Sequence, residues 1–296
     1  MIPSFRVQSP RVLSIQSHTV HGYVGNKSAV FPMQTLGIEV DFVNSVQFSN
    51  HTGYPTWTGK ALDGDDLSEL IRGLRSNGLL KHTHLLTGYM RSASLIRCVM
   101  ETLDELRKEN GQVIYVCDPV MGDNGQLYVP QEIVSVYRDE VVPKATILTP
   151  NQFEAEVLTG VKISDISSAV KAIDILHERG VQCVVITSMH LEGSDSIFLL
   201  ASLSSSSQPP QRLKITIPKL EATFTGTGDM LAALILSWFQ LTDDLKTVIE
   251  NATATLQAVL ANTVKLQSKE LQLIYSRKEI SDPQVPDWLR AESLSS

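Results

Sequence analysis

Short β-rich apolar runs alternate with helical segments along most of the sequence, and this alternation constrains the fold more than any other feature. "RVLSI" (11–15) reads as a buried strand, and "GNKSAVFPMQTLG" follows as a helix disturbed by Pro32 and ended at Gly37. "EVDFVNSV" (39–46) alternates like a strand, and the polar, turn-rich 47–62 stretch reads as a loop or small flap. A helix with acids at its start and Asn-Gly at its end leads to the strand "THLLTGY" (83–89) and a long amphipathic helix. Further strands are expected at 112–120, 145–151 and 182–188, with helices beginning near Gln152 and Ser164. "SIFLLAS" and "RLKITIPKL" read as a later strand pair joined by the flexible "LSSSSQPPQ". Two helices, about 228–240 and 243–268, close the pattern, and the tail from Ser281 reads as irregular. Strands that alternate with helices form a mostly parallel sheet covered on both faces. Such sheets collect ligands at the C-terminal strand ends. Ser17, Tyr89, Asp118, Thr149, Thr187 and Ser188 all fall at or just past such an end.

"FTGTGDML" (224–231) places one acid between a glycine turn and the apolar run "LAALILSWF". Glycine permits a tight turn and close approach of a ligand to the backbone. The first N–H groups of a helix starting there favour an anion such as phosphate. Asp229 would repel that anion, but it makes sense if it orients a hydroxyl nucleophile and accepts its proton while the amides hold the transferring phosphoryl group. The plainer account, a charged residue in a first helical turn, explains the four residues about as well on their own. "GYVGNKS" (22–28) fails the P-loop spacing because Asn26 separates Gly25 from Lys27, and Leu231 occupies the third glycine position of a dinucleotide fingerprint. "CDPVMGDNGQLYVP" (117–130) carries Asp118 and Asp123 around a glycine-rich turn, and "TPNQFEAEVLTG" adds Asn151, Glu154 and Glu156. Nucleotide phosphotransfer needs Mg²⁺, which takes oxygen ligands and retains waters, so these carboxylates are candidates. Ordinary first-turn helix charge accounts for Glu156 better than for Glu154.

Composition narrows the partners. A net charge of −7 argues against a general nucleic-acid binder. Three widely spaced cysteines, Cys98, Cys117 and Cys183, argue for a reducing compartment and against a disulfide framework or zinc site. The N-terminus lacks the apolar core of a signal peptide, and "MLAALILSWF" is too short to span a bilayer, so a cytoplasmic protein without membrane partners is expected. No helical His pair and no G-x-S-x-G context point to a metallohydrolase or serine hydrolase.

Taken together, "VLSIQSHTVHGYVGNKSAVFPMQTLG", "VNSVQFSNHTGY", "LLTGY", "YVCDPVMGD", "LTPNQFEAE", "VVITS" and "FTGTGD" resemble the pyridoxal kinases of the ribokinase-like superfamily. The Gly-Thr-Gly-Asp string marks only the superfamily, whereas "SVQFSNHTGY" with "TPNQFEAE" is far more specific. The resemblance covers about residues 11–280 as one kinase domain with a flap and a lid loop, leaving 1–10 and 281–296 as flexible or irregular ends. It implies ATP-dependent phosphorylation of the 5′-hydroxyl of pyridoxal, pyridoxine or pyridoxamine. Asp229 would be the base, and Gly226, Thr227 and Gly228 the anion hole. Ser17, Thr52 and Tyr89 would contact the pyridine ring. Asp118, Asp123, Asn151 and Glu154 would lie around ATP and its metals, with Asp123 and Glu154 nearest Mg²⁺ or another divalent ion such as Zn²⁺. Thr149 would join Asp118 near K⁺ or Na⁺. Thr187 and Ser188 would reach the phosphates, Leu220, Glu221 and Ala222 would line the adenine side, and Tyr128 would sit on the lid. Members of this family are cytosolic homodimers. Two other readings stay open: a kinase for another small alcohol, such as a hydroxymethylpyrimidine or a sugar, and a non-catalytic B6- or nucleotide-binding protein.

Overall fold

In the computed structural model of the chain, which describes residues 4–205 and 208–294, the alternation of side chains along each strand sorts the apolar residues onto two opposite faces. Val12, Leu86, Val116, Ile147 and Val185 point to one face, and their neighbours Leu13, Leu85, Tyr115, Leu148 and Val184 point to the other. Both faces must therefore be covered. The strands are β1 (Arg11–Thr19), β2 (Glu39–Phe48), β3 (Gly59–Ala61), β4 (His84–Thr87), β5 (Ile114–Cys117), β6 (Gly122–Asp123), β7 (Gln126–Leu127), β8 (Ile147–Leu148), β9 (Cys183–His190), β10 (Ser196–Leu203), β11 (Gln211–Pro218) and β12 (Glu292–Ser293). Ten of them form one sheet in the order β12-β11-β10-β9-β8-β5-β4-β1-β2-β3. The centre, from β9 to β2, is parallel, and both margins are antiparallel. This is the α/β architecture expected of the ribokinase-like class.

The first face is covered by α1 (Asn26–Thr35), α7 (Thr227–Leu241), α8 (Leu245–Lys265) and α9 (Arg277–Ser281). The second is covered by α2 (Gly64–Ser76), α3 (Ala93–Glu109), α4 (Gln131–Val136), α5 (Gln152–Thr159) and α6 (Ile166–Glu178). Local chemistry sets their ends. The side chains of Asp63, Asn151 and Asp165 each accept the N–H of the third helical residue, whose side chain accepts the N–H of the capping residue, forming capping boxes for α2, α5 and α6. α7 is nearly all apolar because it is buried on several sides, and every residue from Met230 to Ser237 is inaccessible.

Two local expectations change and one holds. α1 runs through Pro32 to Thr35, close to the end read at Gly37. Pro32 is buried in the first-face layer, where helix packing outweighs the one lost N–H bond. The ends of the chain are more ordered than the irregular termini read from sequence. Phe5 is buried and packs edge-on against Phe239, with ring centroids 4.7 Å apart. Glu292 and Ser293 pair with Lys214 and Leu213, while Leu289 and Ala291 are buried. Residues 1–3, Ser206 and Ser207 of the serine-rich connection, and 295–296 lie outside the described residues. The flap gains a strand, because β3 pairs antiparallel with the end of β2 from Val46 to Phe48.

Candidate active site

The site lies at the C-terminal ends of β1, β4, β5 and β8, where two glycine turns meet back to back. β1 changes register between Gln16 and Ser17 and then enters the β1–α1 loop. Gly25 in that loop has φ +54°, and a Cβ there would run into the Ser17 carbonyl oxygen, so only glycine lets the strand end and the helix start approach so closely. Asn26 fixes the start of α1. Its amide donates to the Val43 carbonyl and to Asn44 Oδ1, both at 2.9 Å, and its Oδ1 accepts from the Ser14 hydroxyl at 2.8 Å.

The second turn is Gly226-Thr227-Gly228. Gly226 caps α7 in the left-handed region, at φ +83° and ψ +9°. A Cβ on it would strike the Tyr23 carbonyl oxygen, and the Ser28 hydroxyl donates to the Gly226 carbonyl at 2.8 Å. The turn is thus held by the β1–α1 loop, and the N–H groups of the first turn of α7 are left for a ligand.

Asp229 sits in that first turn. It faces Gly88, at the end of β4, where a Cβ would come within 3.3 Å of Asp229 Oδ1 and 2.7 Å of Gln16 Oε1. The residue as a whole is half-buried, but its carboxyl is deep enough that loss of water raises its pKa, against a lowering by the Gly25 N–H. On the other side of the turn, a Cβ on Gly228 would lie 3.4 Å from Asp118 Oδ2. Asp118 follows β5 directly, and its N–H donates to the Thr87 carbonyl at 2.9 Å. Burial raises its pKa well above the usual carboxylate range, and the charges of Glu154 and Asp229 push the same way. Glu154 is also buried, and desolvation lifts it to about 8 against three backbone N–H groups that lower it. Those donors are Met121 at 2.9 Å and Gly122 at 3.5 Å on Oε1, and Asn151 at 2.9 Å on Oε2.

The other candidates spread around this centre. Thr149 is buried, with its N–H on the Cys117 carbonyl at 3.0 Å. The Asn151 amide donates to the Gly122 carbonyl at 2.8 Å. The Thr187 N–H bonds the Pro150 carbonyl at 2.9 Å, and Ser188 is half-buried beside it. The segment expected to form the lid is the β6–β7 hairpin, whose Asn124-Gly125 tip has both residues at positive φ. Asp123 accepts from the N–H and side-chain amide of Asn124, and the side chain of Tyr128 is exposed. Ser17 is buried and Tyr89 half-buried, with the Ser45 hydroxyl on the Tyr89 carbonyl at 2.7 Å. Thr52 is exposed on the flap. Leu220 lines an apolar groove of about 330 Å³ together with Ala254, Ala258, Ala261, Pro286 and Trp288, whereas Glu221 and Ala222 are exposed. Among the described residues, no group of three or more His, Cys, Asp or Glu side chains could hold a metal unaided.

Comparison with known proteins decides the family. The family described as "Phosphomethylpyrimidine kinase" matches residues 80–273. The pyridoxal kinase of Arabidopsis thaliana is 50% identical over 298 residues, covering 96% of this chain and 95% of that protein. The chain belongs to the pyridoxal kinase family. The human pyridoxal kinase is 43% identical, over 93% of this chain and 96% of its own. The pyridoxal kinase of Leishmania donovani, solved in complex with ADP and pyridoxine, superposes with a TM-score of 0.90 at 34% identity, over 97% of this chain and 100% of that one.

Pyridoxal kinase family membership does not by itself locate every residue around this site. Gln16, beside Asp229, was not singled out from sequence, although a polar side chain inside an apolar strand was a usable signal. Its Oε1 is buried without a hydrogen-bond partner. Glu270 and the α8 alanines gave no signal, because each reads as an ordinary helix or loop residue until distant segments meet.

Proposed function

We propose that the chain transfers the γ-phosphoryl group of ATP to the 5′-hydroxyl of pyridoxal, and of pyridoxine and pyridoxamine, giving the 5′-phosphate. The observation that carries this is the placement of Asp229. A desolvated carboxyl stands in the first turn of α7, beside a glycine turn with free N–H groups and across from Asp118. A base with a raised pKa accepts an alcohol proton more readily than an ordinary aspartate does. Asp229 orients the alcohol and takes its proton, while Gly226, Thr227 and Gly228 hold the transferring group through their backbone N–H groups. Ser17, Thr52 and Tyr89 receive the ring, Thr52 by closure of the flap. The apolar groove at Leu220 takes the adenine, with Glu221 and Ala222 at its rim, and Thr187 and Ser188 reach the phosphates.

The chemistry of the acids fits cations. Burial raises the pKa of both Asp118 and Glu154, the charge of Glu154 adds to it on Asp118 and that of Asp123 on Glu154, and a bound cation would relieve them. Asp123 and Glu154 would hold Mg²⁺ with the phosphates and waters, and Asp118 and Thr149 a monovalent ion such as K⁺. The backbone bonds already on Glu154 favour an approach through water. Such ions supply charge neutralisation of the phosphates. Tyr128 and the β6–β7 hairpin exclude water when the lid closes. By family resemblance alone, the protein is also a cytoplasmic homodimer, and its sedimentation mass decides the assembly.

The test compares the native chain with Asp229→Asn, using Mg·ATP, K⁺ and either pyridoxal or hydroxymethylpyrimidine. The expected result is turnover of pyridoxal that falls by about 10²–10⁴ in the variant, with ATP binding kept. Hydroxymethylpyrimidine is included because of the family description that matches residues 80–273. A clear preference for it, or an Asp229→Asn variant that keeps most of its rate, overturns the proposal.

A further inference from the structure

Glu270 lies in the loop after α8, far in sequence from the flap and from the β1–α1 loop, yet its carboxylate touches both. It is 8% exposed. Oε1 accepts from the Tyr54 hydroxyl at 2.7 Å and lies 3.2 Å from His51 Nε2. The Gly53 N–H donates to His51 Nδ1 at 3.2 Å, so a neutral His51 carries its proton on Nε2 and donates it to Glu270. Oε2 accepts from the Tyr23 N–H at 3.1 Å. A Cβ on Gly22 would collide with this carboxylate, so the glycine is what admits it to the loop.

The carboxylate is itself anchored. The Glu270 carbonyl accepts from the Ser268 hydroxyl at 2.8 Å and the Gln272 amide at 3.1 Å, and the Gln272 N–H donates to Thr263 of α8 at 3.1 Å. Leu271 and Leu273 on either side of Gln272 are buried in the core. The two things it holds both lead to the active site. Tyr23 is the residue whose carbonyl lies against Gly226, and two positions later the Gly25 N–H lowers the pKa of Asp229. His51 and Tyr54 flank Thr52 on the flap.

We propose that Glu270 is a positioning residue that fastens the flap to the β1–α1 loop, so that one carboxylate sets the place of the ring pocket and of the Gly226 turn together. One oxygen serves each arm: Oε1 the flap, Oε2 the loop. The kinetic part of this assignment rests on the reading of the site as a B6 kinase, and the structural part does not.

The experiment uses the full-length chain as native protein, Tyr54→Phe, Glu270→Ala and Glu270→Gln. Tyr54→Phe removes a flap bond alone, and raises KM for pyridoxal roughly tenfold, the size of one net hydrogen bond, with kcat and KM for ATP nearly unchanged. Glu270→Ala removes both arms, raising the same KM and lowering kcat, and Glu270→Gln, which keeps one acceptor oxygen, falls between. Adding Tyr54→Phe to Glu270→Ala costs nothing further, because the shared bond is already gone. Hydrogen exchange followed by mass spectrometry reads the latch without catalysis. Amides of residues 49–58 exchange faster in Tyr54→Phe and Glu270→Ala, while those of α3 and α6 do not change. Unaltered exchange at 49–58, or faster exchange throughout with equal rises in KM for both substrates, overturns the latch. A native protein inactive on pyridoxal overturns the B6 reading instead, and the exchange result still decides the latch. Should Glu270→Ala fail to fold, Tyr54→Phe carries the decision alone.

Discussion

Gly226 shows how much of the site depends on a side chain that is absent. Its φ of +83° is strained for any residue with a Cβ, and that Cβ would strike the Tyr23 carbonyl. Gly226→Ala is expected to shift the turn away from the β1–α1 loop and to lower turnover by about 10²-fold, since small misplacements of reacting groups cost that much. The far-ultraviolet circular dichroism should stay native. An alanine variant with full turnover would show that the turn does not need its present place. The motif was legible in sequence as a glycine turn beside an acid, read with the other motifs of the kinase family, whereas its four residues alone fit first-turn helix charge about as well. Its counterpart across the turn, Asp118, was legible as an acid ending a buried strand. Gln16 carried only the signal of a polar side chain inside an apolar strand, since nothing in the local sequence says that the end of β1 abuts the start of α7.

Among the elements, the C-terminal tail is held by one buried acid of α8. Glu250 is 4% exposed. Its Oε1 accepts from the Ala291 N–H at 2.8 Å and its Oε2 from Arg290 Nη1 at 2.9 Å, with Lys246 Nζ at 3.9 Å. Glu250→Ala leaves the Ala291 N–H buried without this acceptor, which costs about 1–3 kcal/mol. Urea unfolding should show that loss. The variant should also raise KM for ATP if the apolar groove takes adenine as proposed, because the tail supplies Pro286 and Trp288 to it. Unchanged stability would mean that the tail docks by apolar contacts alone. The tail reads as irregular from sequence because "SDPQVPDWLRAESLSS" has neither helical nor strand periodicity. Its order comes from the β11 edge and from Glu250, which are both distant in the chain.

At the scale of the whole molecule, a buried histidine at the start of a central strand makes stability depend on pH. His84 begins β4 and is 1% exposed, and burial lowers its pKa to about 4, against a raising by the Phe5 backbone. The unfolded chain titrates near the ordinary value of about 6.5, so between these values the unfolded state binds more protons. The stabilisation by a neutral His84 is therefore complete above about pH 6.5 and is lost as pH falls towards 4, about 3 kcal/mol over that window. Chemical unfolding across that range should show the slope, and His84→Asn should flatten it. An identical slope in the variant would assign the acid sensitivity to other groups. Among the described residues, no helix is long and apolar enough to cross a membrane.

The sequence by itself determined the class of fold, because strand and helix periodicities are local and only a two-sided parallel sheet can bury both. It also determined the kinase family, through strings such as "SVQFSNHTGY", "TPNQFEAE" and "FTGTGD". Only the tertiary structure decided the strand order, the docking of both chain ends, and the meeting of Glu270 with Tyr23 and Tyr54. Each of these rests on contacts between residues far apart in the chain. Their energies come from burial and from hydrogen bonds made only after the sheet has brought the segments together, so no local pattern could carry them.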